Sequence, residues 1–120
     1  MSAPAPLSHA VARFVRMSPQ KGRLVADLIR DRYVGDALTI LRFSDKKKIS
    51  AIIEKVLRSA IANAQQKSPE VDVDRLAIAG IHVDGGPTMK RIRPAPMGRA
   101  YRVLKRTSHV HISLEERKGR

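Results

Sequence analysis

The stretch from residue 85 to 114 constrains this chain more than any other. Its thirty residues carry seven Lys or Arg and no Asp or Glu, with three prolines and three glycines, all six of them before residue 99. Such a segment cannot bury a core of its own. Its middle, Met89-Lys90-Arg91-Ile92-Arg93-Pro94-Ala95-Pro96-Met97-Gly98-Arg99, is too basic to pack on protein and too rich in proline for a helix. From residue 103 to 114 a strand-like alternation returns, so ordered chain brackets the basic middle. The whole reads as an arm that leaves a small domain and is neutralised by a polyanion.

The rest of the chain has to supply the mount. At 120 residues it forms one domain that buries about two-thirds of its unfolded surface. The formal charge of +13 divides into +5 over residues 1 to 84, +7 over 85 to 114 and +1 over the last six. Charge of one sign on an arm is destabilising until phosphates or anionic lipids screen it, which points to a polyanionic partner. The absence of cysteine excludes disulfides and thiolate metal sites and fits a reducing compartment. No apolar run approaches the roughly 20 residues that span a bilayer, and Met1-Ser2-Ala3-Pro4-Ala5-Pro6 lacks the basic and apolar parts of a secretion signal. A cytosolic location is expected. The aromatic residues are Phe14, Tyr33, Phe43 and Tyr101, too few for stacking platforms, so phosphate and groove shape are the expected contacts.

Taken in order, residues 1 to 7 read as a flexible lead. Residues 9 to 16 suit a short strand whose two alternating faces both mix apolar and polar groups. Ser18-Pro19 is a helix start, a hydroxyl to cap free N–H groups followed by a proline whose missing donor costs nothing. A helix from about 19 to 31 follows, with Leu24, Val25, Leu28 and Ile29 on one face. Gly35-Asp36 restarts the chain into a second helix ending near Phe43. Ser44-Asp45 caps the third and longest, 45 to 67, where Ile49, Ile52, Ile53, Val56, Leu57, Ala60, Ile61 and Ala64 recur at spacings of three and four. Its other side, with Lys47, Lys48, Lys55, Arg58, Ser59, Asn63 and Gln66, is either a solvated face or part of a polyanion site.

Residues 73 to 83 are strand-like, with Ala77, Ala79, Ile81 and Val83 on one side and Leu76, Ile78 and His82 on the other, so both faces are expected to be partly covered. Asp84-Gly85 is a tight-hairpin signal. Against a turn there, Pro87 cannot donate to a ladder, which favours an irregular or bulged passage with the reversal near residues 92 to 97. The returning strand places Leu104, Arg106, Ser108, Val110, Ile112 and Leu114 on one face and Val103, Lys105, Thr107, His109, His111 and Ser113 on the other.

No catalytic constellation stands out. His109-x-His111 puts two imidazoles on one strand face, but with no Cys and no acidic third ligand beside it a solvent- or phosphate-facing pair is the expected role. Glu115-Glu116 points its carboxylates to opposite sides of an extended chain, and Asp84-Gly85-Gly86-Pro87 lacks the Lys-Ser or Lys-Thr of a phosphate loop. Ser18 and Ser44 are explained as caps. A non-enzyme is expected.

Several motifs resemble a known family. Gly86-Pro87-Thr88-Met89-Lys90-Arg91, then Gly98-Arg99-Ala100, then Lys105-Arg106-Thr107-Ser108-His109 resemble the signature of the universal twenty-two family of large-subunit ribosomal proteins. Arg16-Met17-Ser18-Pro19-Gln20-Lys21 with Arg23-Leu24-Val25-Ala26-Asp27-Leu28-Ile29-Arg30 is similar to the family's first helix, and Ser59-Ala60-Ile61-Ala62-Asn63-Ala64 to its third. The likeness covers about residues 8 to 115, and the bacterial type is the best match.

That resemblance implies an α+β fold, three helices packed on a small antiparallel sheet with a long protruding basic β-hairpin. The globular body would take 8 to 83 and 103 to 115, the arm 84 to 102, and flexible ends 1 to 7 and 116 to 120. It further implies a cytoplasmic, large-subunit protein that binds ribosomal RNA, supports assembly and lines the nascent-peptide exit tunnel. The implied partners are ribosomal RNA, other large-subunit proteins and the nascent polypeptide, with the protein a monomer in the ribosome and no membrane, cofactor or metal. By position Met89, Lys90, Arg91, Ile92 and Arg93 would face the tunnel. Arg99, Arg102, Lys105, Arg106, Thr107, Ser108 and His109 would line the RNA-clamped stem, with Arg13, Arg16, Ser18, Lys21 and Asn63 as contacts on the body. Where the family commonly has Arg then Ala after Pro94, this chain has Ala95-Pro96, which removes one tip charge and locks one rotation.

Composition by itself also fits a DNA-bending architectural protein, whose basic ribbons wedge a proline into the minor groove. That class works as a pair of arms, so an obligate dimer would mark it. A binder of anionic membranes is disfavoured because the arm has no apolar stripe to insert.

Overall fold

The structure, a computed structural model, describes residues 7–94 and 100–117, and of 89–94 and 100–104 the backbone alone. Its sheet has three antiparallel strands, β1 (Ser8–Val15), β2 (Leu76–Pro94) and β3 (Ala100–Glu116), in the order β1-β3-β2. Three helices, α1 (Pro19–Ile29), α2 (Val34–Arg42) and α3 (Lys47–Lys67), pack on this sheet, which makes the fold the expected α+β. The core forms where Val110, Ile112 and Leu114 of β3 and Ile78, Ile81 and Val83 of β2 meet Val25 and Ile29 of α1 and Ile53 and Leu57 of α3, all buried. The molecule measures 64 × 28 × 27 Å.

Its length comes from an unequal pairing. β1 follows β3 as far as Ser108, whereas β2 follows it from Leu76↔Glu116 out to Pro94↔Ala100. Beyond Ser108 the sheet is therefore a two-stranded ribbon. β2 stays paired with β3 through 84 and 85, so the tight turn suggested by Asp84-Gly85 does not form. The strands pair out to Pro94↔Ala100, and most of the range 92 to 97 expected for the reversal lies outside the described residues.

Three irregularities set which side chains face the core. The register slips between Ile78 and Gly80, so Leu76 and Ile78 before it and Ile81 and Val83 after it all point into the protein and are buried, while Ala79 is exposed. The expected split of 73 to 83 into two alternating faces is thus broken by one extra residue, which reverses strand parity, while Ala77 on the opposite face is buried too, so both faces are partly covered as expected. Residues 73 to 75 are a 3-10 turn, not strand, because the Asp72 carboxylate accepts from the Asp74 N–H at 3.0 Å. In β1 a slip between Ala12 and Val15 explains the mixed faces of the sequence, and Phe14 takes φ 57° there. The passage at Gly85-Gly86-Pro87 is irregular as expected, with the register slipping between Gly85 and Thr88.

The helices follow their patterns with local differences. α3 buries Ile53, Val56, Leu57, Ala60 and Ala64 as expected, with Ser50 beside them. α1 turns a different face inward: Gly22, Val25, Ala26 and Ile29 are buried, while Leu24 and Leu28 are half exposed. Small residues decide this, since a Cβ on Gly22 would lie 3.2 Å from Val83 and 3.1 Å from Met17. Arg23 and Arg30 donate to the carbonyls of Val83 and Ile81 at 3.0 and 2.7 Å and tie α1 to β2. α1 ends at Ile29, before the expected residue 31, because Arg32 and Tyr33 pair with Ile78 and Ala77.

Neither serine cap forms. Ser18 holds the N-cap position of α1, but its hydroxyl makes no bond to the helix. Ser44 accepts from the Lys46 N–H at 3.2 Å, closing a turn ahead of α3. At the other end, Leu7 donates to the Leu114 carbonyl and Arg117 to that of Arg75, so both expected flexible ends begin with sheet-like bonds. The Arg117 guanidinium also reaches Asp31 and Glu115. The Glu115 hydrogen bond above all raises its already high pKa, against the opposing effect of burial.

Candidate nucleic-acid interface

Where the ribbon leaves the helices, Arg16, Met17, Ser18, Lys21, Lys48, Lys105 and Arg106 enclose a cleft of about 650 Å³. Five of these seven are cations, and none is a carboxylate. Arg16 and Ser18 come from the link between β1 and α1, Lys21 from the first turn of α1, Lys48 from the first turn of α3, and Lys105 and Arg106 from β3. A second hollow continues along Lys21, Lys46, Lys47 and Lys48. Both helix starts lack an acidic residue in the first turn. Lysines there oppose the positive end of the helix dipole, an arrangement that is unfavourable until an anion occupies the cleft. The Ser18 hydroxyl, which makes no capping bond to α1, adds a neutral donor.

Beside the cleft, Thr107, Ser108 and His109 join the ribbon to the body. Buried Ser108 donates its hydroxyl to the carbonyl of Met17 at 2.8 Å, and Thr107 donates to the carbonyl of Pro87 at 2.6 Å. His109 Nδ1 accepts the Phe14 N–H at 3.1 Å, and its ring meets the Phe14 ring edge-on with centroids 5.0 Å apart. That bond holds Phe14 in its strained backbone. A Cβ on Gly86 would come within 2.6 Å of Thr107 Oγ1, so glycine lets the strands close here without displacing that side chain. Of the three side chains expected to touch RNA, Ser108 is fully buried and its hydroxyl is spent within the protein.

Residues 10–115 match the family described as ribosomal protein L22p/L17e. The chain belongs to that family. It is 53% identical over 110 residues to the large ribosomal subunit protein uL22 of Solibacter usitatus, covering 92% of this chain and 96% of the relative. Against the proteins of the same name from Desulfotalea psychrophila and Syntrophobacter fumaroxidans the identities are 50% and 52%, with 91% of this chain and 97% of each relative covered.

Within this L22p/L17e chain the structure gathers Arg16, Ser18, Lys21, Lys105 and Arg106 into one cleft, although 83 residues separate Lys21 from Lys105. Arg13 is exposed in the β1 irregularity and does not line the cleft. Asn63 Nδ2 donates to the His9 carbonyl at 3.1 Å, on the far part of α3. Lys90, Arg91 and Arg93 lie opposite Leu104, Val103 and Tyr101, and Met89 and Ile92 opposite Lys105 and Arg102. Arg99 falls outside the described residues.

Lys47 and Lys48 are expected only as part of one side of α3, and Lys46 is not among the expected residues. The signal available was the Lys46-Lys47-Lys48 run itself. The histidine pair also differs from expectation. His109 turns to Phe14, whereas His111 has an acid beside it, Asp84 Oδ2 at 3.3 Å, which strand pairing delivers from β2.

Proposed function

We propose that this L22p/L17e chain is a structural, non-enzymatic component of the large ribosomal subunit, and so of the cytoplasm, anchored by ribosomal RNA in the cationic cleft. The carrying observation is that cleft: five cations from four separate segments converge without a carboxylate at the root of the ribbon. Arg16, Lys21, Lys48, Lys105 and Arg106 bind phosphates, and each neutralised phosphate releases a counterion. Ser18 donates to the same backbone. Thr107, Ser108 and His109 position the ribbon and do not carry the binding energy.

The ribbon then runs into the RNA, with Lys90, Arg91, Arg93, Arg99 and Arg102 neutralised along it and 89 to 93 on the wall of the exit tunnel, facing the nascent polypeptide. Two-stranded ribbons are marginal in water, so RNA binding orders this arm during subunit assembly while the helix-packed part serves as its mount. The protein acts as a monomer beside other large-subunit proteins.

Crosslinkers placed at positions 90 and 105 in intact ribosomes test this reading. Crosslinks from both to large-subunit RNA are expected, with the protein sedimenting with that subunit through a moderate salt wash. For the isolated protein, the five phosphate contacts of the cleft alone predict a log–log salt dependence with a slope of about −4 or steeper. Absence from ribosomal particles together with indifference to RNA at low salt would overturn it.

A further inference from the structure

His82, Asp84 and His111 converge on the face of the sheet opposite the buried side chains. His82 and Asp84 are two residues apart on β2 and so share a face. The register sets His111 directly across from His82 and His109 across from Asp84. The rings of His82 and His111 stack with centroids 4.6 Å apart and planes 14° from parallel. Asp84 Oδ2 lies 3.3 Å from His111 Nε2 and 4.0 Å from His82 Nε2. One ligand atom from each of the three residues falls within 4.8 Å of the others.

His109, the fourth corner of this square, is not available. Its Nδ1 accepts the Phe14 N–H and its ring packs edge-on against Phe14, so that lone pair is already engaged within the protein. Asp84 is the single carboxylate between Asp74 and Glu115, a span holding eight Lys or Arg. Among the described residues the groups beside its carboxylate are nonetheless the two imidazoles.

We propose that His82, Asp84 and His111 form a binding site for a divalent transition-metal ion, with zinc as the fitting probe. Two imidazole nitrogens and one carboxylate oxygen are a three-ligand set that zinc accepts with water in the remaining position. The nitrogen donors favour zinc over magnesium, which prefers oxygen. The side chains are 61%, 56% and 31% exposed, so an ion enters directly from solvent and the two rings are free to swing onto it. Bound there, it clamps β2 to β3 one residue pair before the Gly85-Gly86-Pro87 irregularity and neutralises the acid at the root of the basic ribbon. None of this depends on the RNA reading, because the site is complete in the free chain.

The test is calorimetric titration of zinc sulfate into the full-length, tag-free chain after chelator treatment. One ion per chain with a micromolar dissociation constant is expected, with magnesium at least a hundredfold weaker. His82→Ala, His111→Ala and Asp84→Asn should each weaken zinc binding tenfold or more, and His9→Ala, at the histidine on β1, should not. Zinc should also raise the melting temperature of the unsubstituted chain but not that of His111→Ala. These side chains are exposed, so circular dichroism should show all variants folded. No saturable zinc binding, equal affinity in the unsubstituted chain and His111→Ala, or equal affinity for magnesium would each overturn the proposal.

Discussion

Ser108 donates its hydroxyl to the carbonyl of Met17 at 2.8 Å from a fully buried position. That bond joins the root of the ribbon to the peptide that leads into α1. Ser108→Ala removes the donor and leaves the carbonyl without it, at a cost of about 1–3 kcal/mol, read by urea denaturation. RNA affinity of the folded variant should stay within about twofold with the salt slope unchanged, since a neutral joint residue releases no counterion. A drop in affinity with unaltered stability would instead make Ser108 a direct contact.

Gly86→Ala should destabilise the chain by about 1–3 kcal/mol, because its Cβ would meet Thr107 Oγ1 at 2.6 Å. Thr107→Ala removes both that oxygen and its bond to Pro87. In a double-mutant cycle the two changes should therefore cost less together than their sum. Strict additivity would show that Thr107 is not what excludes a side chain at 86.

Lys48→Ala should separate stability from binding. Relieving a cation at the positive end of α3 should stabilise the fold by about 0.3–1 kcal/mol at low salt. Losing one phosphate contact should lower the magnitude of the RNA salt slope by about one. Thermal melts and filter binding at several salt concentrations measure the two effects. If both stability and slope are unmoved, Lys48 belongs to a solvated surface.

Ser50→Ala should stabilise the protein. The Ser50 hydroxyl is buried in α3 without a hydrogen-bond partner among the described residues, and alanine is the better helix former. A gain of about 0.5–1.5 kcal/mol is expected, seen as a rise of a few degrees in melting temperature. A loss would mean that the hydroxyl has a partner in solution.

How much of this was readable in advance varied with the range of the interactions involved. The periodicity of α3, the proline start of α1 and the bulged passage at Gly85-Gly86-Pro87 are local consequences of side-chain spacing, and each appears where its residues put it. Face assignments fared worse in α1 and β2. There Leu24 and Leu28 gave way to Gly22 and Ala26, because close approach to Val83 and Met17 outweighed the hydrophobicity of two leucines. In β2 one extra residue at Ala79 moved Leu76, Ile78, Ile81 and Val83 to the same side, a shift that no alternation pattern announces.

The basic stretch and its lack of carboxylates were properties of the chain alone, and they dictated a polyanion as partner because like charges on an arm need neutralising. Which cations act together was decided only by folding. Lys21, Lys48 and Lys105 become neighbours because α1 and α3 both begin beside the strand that carries Lys105, and Asp84 reaches His111 through antiparallel register. Contacts between residues so far apart in the chain depend on core packing and strand pairing, which one-dimensional spacing does not encode.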